Sequence, residues 1–298
     1  MEIPTLFAYF IEHDPVGYAV PFFIVFILIE LFLDAYEKKN WYEKKEAWAS
    51  LAMGVGSVFV NLFSKIIYFI VFSWIYENYR LFEIDLTKAW AWLFLFFADD
   101  FSFYWHHRSS HQVRLLWASH SNHHSSTSYN LAIALRQSWT EFLYKYLFWL
   151  WLPFIGFHPI AIFTLIAISL IYQFFLHTQA VKKMGFLEYF FNTPSHHRVH
   201  HATNIAYLDK NHAGILIIWD KLFGTFAEEK EQPIYGLTKN IETHNPLKIA
   251  FAEHKQIWKD LKKTEKWTDR LKYLFYPPGW SHDGSSLTTK DLQSNTKK

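Results

Sequence analysis

The 298-residue chain contains no cysteine. Disulfides, a haem thiolate and cysteine-bound iron–sulfur clusters are therefore excluded, and any redox metal must be held by nitrogen or oxygen. Also missing are a dinucleotide-binding glycine fingerprint, a haem-binding motif and the HExxH signature of a zinc hydrolase. Charge of either sign is scarce in excess: 29 Lys and Arg stand against 27 Asp and Glu, and a net charge of +2 is too mild for a nucleic-acid binder. The N-terminal MEIPTLFAYFIEHDP has no basic n-region and no small-residue cleavage site, so it is not expected to be a removable signal peptide.

What the chain does have is apolar sequence in blocks. Half of it (51%) is hydrophobic and 20% is aromatic, yet the mean hydropathy is close to zero. Apolar stretches cover about 17–33, interrupted by Glu30, about 48–76, containing Lys65, a third from about Ala89, then 142–157 and 160–176. Each is close to the length needed to cross roughly 30 Å of hydrocarbon. A soluble protein with very apolar core helices is the rival reading. Continuous apolar length, few internal charges and Trp or Tyr near the block ends favour the membrane. Lys38, Lys39, Lys44 and Lys45 make the first loop cytoplasmic by the positive-inside rule, which places the N-terminus outside. Counting onward, every histidine-rich segment falls on the cytoplasmic face.

The expected fold is all-α, a polytopic membrane helix bundle of four to five spans with a helical cytoplasmic cap carrying a histidine-ligated dimetal site. Residues 1–178 would form the bundle, with two histidine motifs in a cytoplasmic segment at 105–141. Residues 179–276 would form the cap with a third motif, and 277–298 a flexible tail. Pro246 to Phe275 reads as basic amphipathic helix, expected to pack on the cytoplasmic face, with membrane-surface binding as a second possibility.

Thirteen of the 17 histidines lie between His106 and His212. His107 and His111 are one helical turn apart, and Asp100 and Tyr104 continue their stripe toward the membrane. Asp100 and Tyr104 are the candidates for orienting the imidazoles, directly or through another group. Two H-x-x-H-H triplets follow, His120, His123, His124 and His197, His200, His201. Spacing of i, i+3, i+4 lets two imidazoles serve one metal and the third its neighbour. At this histidine frequency one such triplet is expected about 0.05 times by chance, so two are no coincidence. His177 ends the fifth block and would face the same mouth. His106 and His196 point off the stripe. The tenth position is left among His212, Gln173 and water. Nine histidines exceed the roughly three or four ligands of one zinc site and suit two metals. Imidazole suits several metals, and the want of a carboxylate-rich set disfavours Mg and Mn.

DDFSFYWHHRSSH, WASHSNHH, NTPSHHRVHHATN and NHAGILIIWDKLFGTF together resemble the fatty acid hydroxylase / sterol desaturase superfamily of membrane di-iron enzymes. HHSSTSYNLAIALRQSW and YQFFLHT look most like its alkylglycerol monooxygenase branch and the bacterial relatives of that branch. The resemblance implies two Fe ions on His107, His111, His120, His123, His124, His197, His200 and His201, with His177 as a ninth ligand. It also implies O2-dependent hydroxylation or desaturation of a membrane lipid. A separate electron donor, a tetrahydropterin or a redox protein, would supply the reducing equivalents. Gln112 and Thr127 stand where that branch is expected to carry acidic residues, so the reductant stays open. Asn211, Trp219 and Asp220 are read as closing the site from below, or, with Phe223, as closing the fold. A non-enzymatic metal-binding or metal-transport membrane protein is the alternative, although transporters place such ligands within the spans.

Overall fold

The computed structural model describes residues 12–296. The first eleven residues of the stretch weighed as a signal peptide, and the last two of the expected tail, lie outside the described residues. Among the described residues the fold is all helical, with isolated β-bridges at Phe191–Leu216 and Ala202–Tyr235.

Helix α1 (Pro15–Glu37) starts on Asp14, whose carboxylate accepts from the Val16 N–H at 3.1 Å, with Pro15 pre-set for the first turn. It stops where Lys38 turns left-handed. Helix α2 (Lys44–Tyr79) is capped by Glu43, which accepts from the Glu46 N–H at 2.8 Å. Both are long and apolar enough to cross a membrane, and only 11% and 22% of their apolar windows are buried in the protein. Phe22, Phe32, Phe59 and Phe63 stand exposed along them. Core helices of a soluble protein would hide such side chains, so these helices face lipid.

Helix α3 (Ala89–Gln112) and helix α4 (Arg114–His124) meet at extended Val113. The fourth apolar block is not one continuous helix. It forms 3-10 turns at Glu141–Leu143 and Lys145–Trp149, then a short α5 (Trp151–Ile155). Its indoles explain the break: Trp149 Nε1 donates to Asp99 at 2.7 Å and Trp151 Nε1 to Ser102 Oγ at 2.9 Å. Helix α6 (Pro159–Phe174) closes the bundle around Leu95, Phe157, Ile162 and Phe163.

One end of the bundle is marked by Leu81 N–H to Phe154 O at 2.7 Å and Phe82 N–H to Ile155 O at 3.1 Å. Gly156 sits there at φ +124°, where a Cβ would strike the Phe82 carbonyl. The other end gathers the loops after α1, α4 and α6. Glu30 accepts from Leu131 N–H at 2.7 Å, from Tyr42 at 2.6 Å and from Thr178. Buried Arg136 donates to Glu46 at 2.8 Å and to the Asn122 carbonyl at 3.0 Å.

Beyond α6 the chain forms α7 (Pro194–His200), α8 (Ile218–Leu222), α9 (Pro246–Ala250), α10 (Ala252–Leu261) and α11 (Trp267–Phe275). The basic segment read as one helix is thus three. Arg114 pins it to α4 through Glu253 at 2.8 Å and Asp260 at 2.6 Å. In the segment read as a flexible tail, Thr289–Thr296 forms helix α12, and Gln293 donates to the carbonyls of Ile205 and Leu208.

Candidate metal centre

Helix ends deliver the histidines. The last turns of α3 carry His107 and His111, the second half of α4 carries His120, His123 and His124, and α7 carries His197 and His200 with His201 as its cap. His177 follows α6, its Nδ1–H donating to the Gln173 carbonyl at 2.8 Å. The structure brings all nine side chains together, buried, in two groups. His107, His111, His120, His124 and His200 form one, and His123, His177, His197 and His201 the other. Within each, the ligand atoms lie within 4.8 Å of one another. Each triplet is split between the groups, as the i, i+3, i+4 spacing implies.

The ring nitrogens converge at the right scale for an ion. Nε2–Nε2 separations are 2.9 Å for His107–His120 and 3.2 Å for His120–His124 in the first group. In the second they are 3.0 Å for both His123–His177 and His177–His197, and 3.2 Å for His197–His201. A metal with bonds of about 2.1 Å to nitrogen has octahedral edges of about 3.0 Å. Nε2 of His111 and of His200 are buried with no hydrogen-bond partner, a state a bound ion would relieve. The donor set fits a two-metal site.

The opposite nitrogens are held by backbone. His107 Nδ1–H donates to the His212 carbonyl at 2.8 Å and His200 Nδ1–H to the Lys210 carbonyl at 2.9 Å. Each bond fixes the tautomer that leaves Nε2 free for metal. His111 Nδ1 lies 3.4 Å from the Asp209 carboxylate. Burial pushes the imidazoles of His120, His124, His197, His200 and His201 well below the ordinary value, and that of His123 down to about 4. They are neutral and ready to ligate at pH 7.

Asp100 and Tyr104 do not touch a ligand ring by hydrogen bond, contrary to the direct form of the expectation. The Asp100 carboxylate is occupied by the N–H groups of Ile215 and Leu216, at 2.7 and 2.9 Å, and by Trp219 Nε1 at 2.9 Å. Tyr104 shares a hydrogen bond with Thr225 at 2.9 Å, receives one from Arg108 at 3.0 Å and stacks on Phe223. Both clamp the 212–225 segment whose His212 carbonyl orients His107. Asp220 does the same more directly, accepting from the N–H groups of His212 and Ala213 at 2.8 Å each and from the Thr225 hydroxyl at 2.6 Å. Asn211 ties α7 to the chain beyond Thr225 through the His196 and Ala227 carbonyls. Gly214 is required by this clamp, because a Cβ there would lie 2.8 Å from Phe103 and 2.9 Å from Asp100.

His212 belongs to neither group, although its ring lies 4.9 Å from that of His111. Its Nε2 faces the Asp209 carbonyl at 3.1 Å. His106 turns away to Glu141, 3.2 Å distant, and His196 packs on Phe226. Gln112 is exposed at the end of α3. Thr127 donates to Glu46 at 3.5 Å, so a carboxylate from α2 reaches the neighbourhood where position 127 itself offers none. Sequence reasoning missed the Lys210 and His212 carbonyls and Gly214. Backbone acceptors leave no trace in side-chain spacing, and only the NHAG run hinted at them.

Residues 92–225 match the family model described as Fatty acid hydroxylase. The family match and the chain's relatives support the fatty acid hydroxylase superfamily for this chain. It is 41% identical over 269 residues to alkylglycerol monooxygenase of Homo sapiens, a match covering 90% of this chain and 60% of that protein. With the Xenopus tropicalis alkylglycerol monooxygenase the identity is 38% over the same length and shares. Ornithine lipid hydroxylase OlsE of Rhizobium tropici is 32% identical over 129 residues, 43% of this chain and 39% of that one. The chain spans about 60% of the length of the alkylglycerol monooxygenases just named. No solved structure matches it.

Proposed function

We propose that this chain is a multi-pass membrane oxygenase that holds two iron ions at the cytoplasmic face and oxidises a C–H bond of a lipid with O2. The observation that carries the reading is the pair of all-histidine groups, five and four buried imidazoles, at the end of a bundle whose outer helices face lipid. Relatives named for alkylglycerols and for ornithine lipids support a lipid substrate.

In this reading His107, His111, His120, His124 and His200 hold one ion, and His123, His177, His197 and His201 the other. Iron bound there would supply the reduction of O2 and the cleavage of the C–H bond. Hydroxylation also consumes two electrons and two protons, and the electrons come from a separate donor, a tetrahydropterin or a redox protein. The chain's own work is to orient and to exclude water. The Gln173, Lys210 and His212 carbonyls hold three rings, while Phe103, Trp117 and Tyr129 pack against the histidines. The second group has one donor fewer, which makes it the more open of the two. The described residues up to 178 act as the membrane bundle and 179–276 as the cap that closes the centre.

The test is expression in membranes, measurement of iron per chain and O2-dependent oxidation of added lipids, with His120→Ala and His200→Ala alongside. Two irons per chain and activity lost in both variants are expected. Activity that survives either substitution sinks the proposal.

A further inference from the structure

The 3-10 turn Gly185–Tyr189 and its flanks are out of place for a segment on the aqueous side. Phe186 is 69% exposed, Tyr189 68% and Phe190 51%, and Leu222 of the neighbouring α8 is 69% exposed. Met184, Leu187 and Phe191 are also exposed. An apolar patch this dense on a protein surface marks contact with a partner or a membrane. The one acidic side chain of the turn, Glu188, is drawn inward by the Ser195 hydroxyl at 2.6 Å and the Met184 N–H at 3.0 Å. Glu188 is half-buried, so its charge is held partly against the protein rather than at the tip of the turn.

Depth identifies what covers this patch. The segment is locked to the bundle at two heights. Asn192 receives the Tyr172 hydroxyl on its carbonyl at 2.5 Å and donates its N–H to the Ile215 carbonyl at 2.7 Å. Asp100 in turn holds Ile215, Leu216 and Trp219. Asp100 lies eleven residues beyond Ala89 and Tyr172 thirteen beyond Pro159, which is about 16 and about 20 Å along their helices. Both helices begin at the end remote from the histidines, and exposed Trp90 and Trp92 mark that boundary. A hydrocarbon layer of about 30 Å measured from there reaches past both contacts. Phe97, Leu93 and Phe94 on α3 are exposed as well, so the patch continues a lipid-facing surface. Exposed Lys182, Lys183 and Lys221 rim it, Lys183 paired with Glu228 at 2.7 Å and Lys221 donating to the Tyr189 carbonyl at 2.8 Å, which places polar and charged groups at its edge as at a membrane interface.

We infer that residues 184–191, with Leu222, form a re-entrant element inserted among the acyl chains of the leaflet on the histidine side. Its partner is the bilayer itself. The segment runs through Thr193 directly into α7, which bears His197, His200 and His201, so a lipid lying against it is already beside the centre. The inference rests on the reading of α1 to α3 as membrane helices.

The absence of cysteine makes a clean test. Phe186→Cys and Phe190→Cys, each labelled with an environment-sensitive nitrobenzoxadiazole dye, are reconstituted as the full chain in phosphatidylcholine and phosphatidylglycerol vesicles containing nitroxide lipids. Phe59→Cys on α2 is the membrane control and Ser285→Cys the aqueous one. Quenching at 186 and 190 matching that at 59, with none at 285, is the expected result. Dyes at both 186 and 190 that stay unquenched while 59 is quenched overturn the inference. A dye at 59 that is also unquenched overturns the membrane reading beneath it.

Discussion

Nδ1 of His107 donates to the backbone carbonyl of His212 at 2.8 Å, across 105 residues of sequence. In the proposed centre that bond would commit His107 to ligate through Nε2 and make the backbone around residue 212 part of the site. Asp220 holds this backbone by accepting from the N–H groups of His212 and Ala213, and accepts a third hydrogen bond from the Thr225 hydroxyl. Removing the carboxylate leaves buried donors unpaired, at about 1–3 kcal/mol each before relaxation. Asp220→Ala is expected to lower the melting temperature and to lose the ion of the five-histidine group before that of the four. Metal analysis and thermal unfolding check it, and full metal content in a stable variant refutes it.

The two groups share no histidine, so in the proposed centre their ions would be separable. His111→Ala is expected to bring metal toward one ion per chain, held by His123, His177, His197 and His201. His177→Ala should do the converse. Elemental analysis of both purified proteins decides, and loss of both ions from each variant would show a centre that assembles only as a unit.

At Gly214 a methyl group has nowhere to go, with Phe103 and Asp100 both inside 3.0 Å of a built Cβ. Gly214→Ala is expected to cost about 1–3 kcal/mol, the range for overpacking a filled interior. A melting temperature unchanged from that of the parent would show that the clamp yields freely.

Arg136 is buried against Glu46 and the Asn122 carbonyl. Arg136→Ala strands a buried carboxylate and should cost about 3–5 kcal/mol, whereas a double change that also makes Glu46 apolar should recover much of it. Chemical denaturation of the two variants makes the comparison.

Chelation should destabilise the whole bundle. A ligand that binds only the folded state adds stability by mass action, and a metal held by both histidine groups would also join α3, α4, α6 and α7. The melting temperature is expected to fall on metal removal and to return on adding ferrous iron. Equal melting with and without metal would mean that the histidine ends are held by packing alone.

The nine histidines, the absence of cysteine and the one-turn spacing of each pair were all legible in the linear order of residues. Helical periodicity is local, so i, i+3 and i+4 reveal which imidazoles share a face before any packing is known. The same locality explains why the family could be read from four short motifs. Tertiary structure alone divided the nine into five and four, because which faces meet depends on how α4 and α7 approach α3 and the end of α6. It moved Asp100 and Tyr104 from the rings to the 212–225 segment, since backbone N–H groups at residues 215 and 216 compete for the carboxylate and are invisible in side-chain patterns. It broke the fourth apolar block into short turns, where indole hydrogen bonds to Asp99 and Ser102 outweigh helical regularity. It also set the depth of Phe186 and Phe190, which depends on contacts to Asp100 and Tyr172 that no window of sequence contains.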